Sequence, residues 1–186
     1  MKNLILTFAV LTLLVAACTT DPTKKSTQAS SDSTASSSEA IESPTAIDPL
    51  LNPYFKLKNA LTQDNDKVAA EAGNELLSAL ESFDKSSLNS EQSKVYNDIY
   101  EDAKGHAEHI GANSGNIKHQ REHFETLSQE IYEFAKSVRG KKLYYANCPM
   151  YNNNKGGNWL SEVREIRNPY FGSEMLECGT VKEELN

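Results

Sequence analysis

Sulfur is gathered near the end of the chain in two pairs. Cys148-Pro-Met150 opens the segment and Met175-Leu-Glu-Cys178 closes it. Thiolate and thioether are soft donors that suit Cu(I), whereas thioether is not among the usual ligands of zinc. In an extended segment residues two apart point to one side, so Cys148 and Met150 can offer both sulfurs to one point. Met175 and Cys178 are three apart, which a single turn brings together. Closure of the intervening loop would then assemble two thiols and two thioethers around copper(I) or silver(I). The chain's 4 histidines form a second cluster of donors. His106 and His109 precede the link "GANSG", and His119 and His123 follow it. His119 and His123 are one helical turn apart, a spacing that suits two ligands of one metal. These imidazoles are candidate auxiliary ligands to the sulfur site or a site of their own. "HQREH" lacks the HExxH spacing of a zinc hydrolase.

The same residues admit a structural account. Met150 and Met175 can fill gaps in a core. Cys148 and Cys178 can form a disulfide that staples the tail, with Trp159, Tyr170 and Phe171 as apolar filling. A loop of that size stabilises by about 3–4 kcal/mol in the chain-entropy model. The histidines, set among charged and amide side chains, can simply satisfy hydrogen bonds. From spacing alone both accounts stay open.

The elements that must position these residues are helices. "DPLLNPYFKLKNAL" has Asp48 as a candidate N-cap with Pro49 in the first turn, and Leu50, Tyr54, Leu57 and Leu61 on one face. A second stripe runs through Val68, Ala72, Leu76, Ala79, Leu80 and Phe83. A third runs through Val95, Ile99, Ala103, His106 and Ile110, and a fourth through Ile117, Phe124, Leu127, Ile131, Phe134 and Val138. Each is as wide as a core-facing helix needs. The connectors "TQDND", "DKSSLN" and "GANSG" are short, which makes neighbours antiparallel. The expected fold is mainly α. It is an up-down antiparallel bundle of about four helices over 48–140, with Gly140 as a stop for the last helix. A Cys-Met tail over 141–186 packs on it within the same domain. In that tail "KLYYANCPMY" reads as a short strand, "NNNKGG" as a loop, "WLSEVREI" as one or two helical turns and "RNPYFG" as a turn. With the hairpin link turning the chain, all four histidines belong at one end of the bundle. Arg121, Glu122 and Glu125 read as surface or interhelix ion-pairing residues.

The beginning of the chain has a different character. Met1–Ala17 has a positive start, an apolar centre and small residues before Cys18, the pattern of a secretory signal. Its ending, "LVAAC", resembles a bacterial lipobox. That resemblance implies lipidation of Cys18 and attachment to the membrane through several acyl chains. Residues 18–47 are rich in Ser, Thr and Ala and read as a disordered tether. Secretion places Cys148 and Cys178 where disulfides are allowed. The formal charge of −7 gives no electrostatic case for binding nucleic acid. No Gly-x-Ser-x-Gly, phosphate-cradling loop or general-base dyad stands out, so an enzyme is not expected.

"CPMYNNNKGGNWLS" followed by "EIRNPYFGSEMLECG", together with "HAEHI" and "IKHQREHFETLSQEIY" upstream, resembles a bacterial domain family of unassigned function. That family is common in Bacteroidetes lipoproteins and is also found appended to periplasmic adaptor subunits of heavy-metal efflux pumps. The likeness covers about Tyr54 to Val181, and the family pattern usually has Ala where Gly157 stands. It implies that the family's shared donors fall on Cys148, Met150, Met175, Cys178, His106, His109, His119 and His123. It further implies a lipid-anchored module of the cell envelope, facing the periplasm or on the outer membrane. Such a module would bind copper or a related soft metal and associate with an efflux adaptor. With this context soft-metal binding moves ahead of a purely structural disulfide.

Overall fold

A computed structural model describes residues 45–186. The expected signal, the expected lipidation site Cys18 and all but the last residues of the expected tether lie outside that range. Four long helices follow one another: α1 (Asp48–Thr62), α2 (Asp66–Glu81), α3 (Ser90–Ala112) and α4 (Ile117–Val138). Each consecutive pair packs together, and a small sheet in the C-terminal region completes the fold, as the sequence predicts.

Asparagines start three of the helices. The side chains of Asn65, Asn89 and Asn116 accept from backbone amides in the first turns of α2, α3 and α4. Gln92 returns the bond to the Asn89 amide and completes a capping box. Asp48 is not a cap. It occupies the first helical position, accepts from the Thr45 amide at 2.7 Å and pairs with Lys141 at 3.0 Å.

The apolar stripes meet in one core that includes Leu50, Leu57, Leu76, Ile99, Ile110, Phe124, Leu127, Ile131 and Phe134. Each fully buried Leu, Ile or Phe contributes roughly 1.5–3 kcal/mol. On α3 the stripe sits one position away from the expectation at one site. Ala107 is buried and His106 is only half-buried, so His106 borders the core instead of entering it. Small residues let α2 and α3 approach closely. A Cβ on Gly73 would lie 2.9 Å from the Gly111 amide nitrogen, and one on Gly111 would lie 2.2 Å from the Asn74 side chain.

The sheet has the order β2-β1-β3, with both pairings antiparallel. Strand β1 (Leu143–Cys148) is the expected short strand. Strand β2 (Gly157–Ser161) replaces the start of the predicted helical segment "WLSEVREI". Ala146 pairs with Trp159 and Tyr145 with Leu160, and burying Trp159 and Leu160 on β1 outweighs local helix preference. Strand β3 (Thr180–Leu185) is an edge that alternates between half-buried and exposed positions and carries Lys182, Glu183 and Glu184.

Polar contacts centred on Tyr54, Lys58 and Arg121 dock the sheet region on the bundle. The Tyr54 hydroxyl accepts from the Leu160 amide at 3.0 Å and bonds to the Ser128 hydroxyl at 2.9 Å. Lys58, buried in α1, donates to Glu162 at 2.7 Å. The Arg121 guanidinium donates to the Leu61 and Pro169 carbonyls and to Asp64, while Asp64 also accepts from Ser173. Burial alone would raise the Asp64 carboxyl, but the bonds from Ser173 and Arg121 hold it below its ordinary range. Gly172 has φ +55°, and a Cβ there would run into Asp64. Among the described residues no helix is long and apolar enough to cross a membrane.

Candidate metal centre

The α3–α4 hairpin is held firmly before any histidine is considered. Gln120 is fully buried and donates from its amide nitrogen to the Asp66 carbonyl at 2.9 Å and the Ile110 carbonyl at 3.3 Å. The Gly115 amide donates to the Asp66 carboxylate at 2.5 Å. At the end of α3, the Asn113 side chain donates to the His109 carbonyl at 2.7 Å. The Asn116 cap accepts from the His119 amide at 3.3 Å. These bonds fix the register in which one helix face meets the other.

In that register all four histidines share one seam. His109, His119 and His123 bring one ring nitrogen each to within 4.8 Å of one another. Nε2 of His119 lies 3.1 Å from Nε2 of His123. Two nitrogens bonded to one tetrahedral ion at about 2.0–2.1 Å would sit about 3.3 Å apart, so these rings need only small movements to share a metal. The His109 ring stacks on His123 with centroids 4.4 Å apart and an interplanar angle of 10°. His106 approaches the other edge of His123, with Nδ1 to Nδ1 at 2.8 Å. Nδ1 of His119 is 3.5 Å from the Glu122 carboxylate.

The electrostatics favour the neutral ring at His123 and His106. Partial burial, the charges His109, His106 and His119 would carry, and only weak opposition from Glu122 push His123 down to about 4. His106 is also lowered, chiefly by burial and secondarily by His109, against a raising influence from Asp102. Metal binding requires the unprotonated ring, so His123 is ready to ligate at neutral pH. Imidazole suits copper, zinc, nickel and iron, and among divalent ions copper(II) binds such donors most tightly.

Of the sulfur residues, the two cysteines meet. Cys148 ends β1, is fully buried, and lies with its Sγ 3.2 Å from the Sγ of Cys178. Both are free thiols. Cys178 closes a turn by donating its amide to the Met175 carbonyl at 3.0 Å, and its own carbonyl accepts from Asn168 at 2.8 Å. The Cys178 thiol is raised by its hydrogen bond with Cys148, by burial and by the neighbouring sulfur. That is the opposite of the depressed pKa of an activated nucleophile. Met150 is 49% exposed. The strand stops at Cys148 and the chain turns, so the two-residue alternation no longer applies. Met150 instead borders an open groove of about 850 Å³ with Arg121, Glu122, Glu125, Tyr151 and Tyr170. Met175 is half-buried. The loop closes and brings its two cysteines together without a bond, while Met150 borders the groove along α4.

Two features escaped sequence reading. Glu122 flanks both the histidine seam and the groove, yet its spacing from His119 and Lys118 reads as an ordinary helical ion pair. Lys58 sits between Leu57 and Asn59 with no signal that it would be buried. The model of a family described as a protein of unknown function, DUF3347, matches residues 50–142, which spans the bundle and every histidine. No curated protein and no solved structure matches the chain.

Proposed function

The chain belongs to the DUF3347 family, and we propose that it is a metal-binding module of the bacterial cell envelope, anchored by lipid at Cys18 and handling copper. The observation that carries this reading is the convergence of His109, His119 and His123 nitrogens to within 4.8 Å of one another on a rigid hairpin. Three imidazoles are sufficient protein ligands for a metal site that keeps one position open. The adjacent thiols of Cys148 and Cys178, 3.2 Å apart, supply a second, softer donor pair suited to Cu(I) or Ag(I). Met150 and Met175 stand as accessory thioether donors. Transfer to or from a heavy-metal efflux adaptor is the role that fits a tethered, exchangeable site of this kind.

The test is a titration of the purified full chain with Cu(II), and with Cu(I) under reducing conditions, followed by competition against chelators of known affinity. The expected result is one Cu(II) lost in a His119→Ala/His123→Ala variant and a Cu(I) equivalent lost in Cys148→Ala. Unchanged binding in both variants would defeat the assignment.

A second reading has its own support. The sulfurs of Cys148 and Cys178 need to close by little more than 1 Å to bond, given a disulfide length of about 2.0 Å. On that reading the module is an envelope interaction domain with a stapled tail. Complete bridging of the protein isolated without reductant, together with failure to bind copper after reduction, would favour it.

A further inference from the structure

We infer that the four histidines divide three to one: His109, His119 and His123 are the ligands, and His106 is a positioning residue that orients His123. This deepens the metal-binding reading and rests on it. The division follows from which nitrogen faces which. His119 and His123 turn their Nε2 atoms toward each other at 3.1 Å. A metal at their meeting point takes both Nε2 lone pairs, and His109 completes the set by turning out of its stack on His123. Each ring must then carry its proton on Nδ1, and each Nδ1 already has a receiver in place. Nδ1 of His123 faces Nδ1 of His106 at 2.8 Å, and Nδ1 of His119 faces the Glu122 carboxylate at 3.5 Å.

His106 therefore accepts from His123 through its Nδ1 lone pair and holds its own proton on Nε2. That lone pair cannot serve a metal while it receives the hydrogen bond. The arrangement matches a general feature of imidazole ligands, whose second nitrogen donates to a carboxylate, carbonyl or other acceptor that fixes ring and tautomer. Its half-buried place beside the core keeps the ring in register. Glu122 performs the equivalent service for His119, at longer range. The fourth coordination position is left to water or to an incoming donor.

Pulsed electron paramagnetic resonance on the Cu(II)-loaded full chain counts bound imidazoles through their remote nitrogens. The expected count is three in the parent and three in His106→Ala, falling by one in each of His109→Ala, His119→Ala and His123→Ala. His106→Ala should bind Cu(II) about 10–100-fold more weakly, the usual cost of losing an outer partner. His106→Gln, whose carbonyl can accept from His123 Nδ1, should recover most of that loss. Four imidazoles in the parent and three in His106→Ala would make His106 a ligand and overturn the division. Unaltered affinity in His106→Ala would also overturn it. A parent chain that binds no Cu(II) would instead refute the metal-binding reading itself. Circular dichroism of each metal-free variant separates these outcomes from misfolding.

Discussion

The histidine seam is made by two helices that are neighbours in sequence, whereas Cys148 and Cys178 meet at the end of a sheet across 30 residues. The seam is open, with His109 exposed and its companions half-buried. The thiol pair is mostly enclosed, with Cys148 fully buried. One arrangement depends on capping bonds and a short hairpin, and the other depends on strand register and on contacts that dock the tail. Borderline imidazole donors therefore occupy the accessible, locally determined place. The two thiols occupy the sheltered, topologically determined one. The difference implies that the two sites respond separately to perturbation.

The largest expected effect divides them by oxidation. Joining Cys148 and Cys178 with a mild thiol oxidant should stabilise the folded chain by about 3–4 kcal/mol, because it closes a loop of about 30 residues. Cu(II) affinity at the histidines should stay unchanged. Denaturant unfolding of reduced and oxidised protein measures the first, and competition titration measures the second. A parallel loss of Cu(II) binding would mean that the sites are one.

A smaller effect should come from Tyr54→Phe. Losing the hydroxyl leaves the buried Leu160 amide and Ser128 hydroxyl short of a partner, at a cost of about 1–3 kcal/mol. The loss falls where the bundle meets the sheet. Cys178 should react faster with a thiol reagent, while the histidine resonances should keep their positions. Movement of those resonances would show that the seam depends on tail docking.

The smallest effect concerns protons. His123 is held down to about 4 in the folded chain, below the ordinary 6.5. As pH falls the unfolded chain takes up this proton first. The group's contribution to stability is therefore complete above about 6.5 and disappears as pH falls toward 4. In the metal-free protein the His123 ring signal should titrate near pH 4 by nuclear magnetic resonance. A midpoint above 6 would show that its neighbours do not press on it. His123→Gln should flatten this part of the stability profile without altering thiol reactivity.

The bundle was legible because Leu50, Leu57, Leu76, Ile99, Phe124 and Phe134 recur at helical spacing, whereas the asparagine caps emerged only from the structure. The gathering of the histidines was legible for the same reason, since a four-residue link between two helices leaves few registers. The internal order of the cluster was not. Which ring nitrogen faces which depends on side-chain rotamers, and those carry no spacing signal. In the tail, Cys148 and Cys178 were the natural pair, but the fate of Met150 turned on where β1 ends. The segment "WLSEVREI" misled because Trp159 and Leu160 satisfy either period, and only their pairing with β1 decides between them.

The edge strand β3 carries a further implication. An exposed strand edge is a template on which a second copy of a protein can add its own strand. Here Lys182, Glu183 and Glu184 follow one another along that edge, beside the Arg164–Glu184 ion pair. Adding a second copy's strand there would strip water from these charges. The charged edge therefore opposes strand addition between copies.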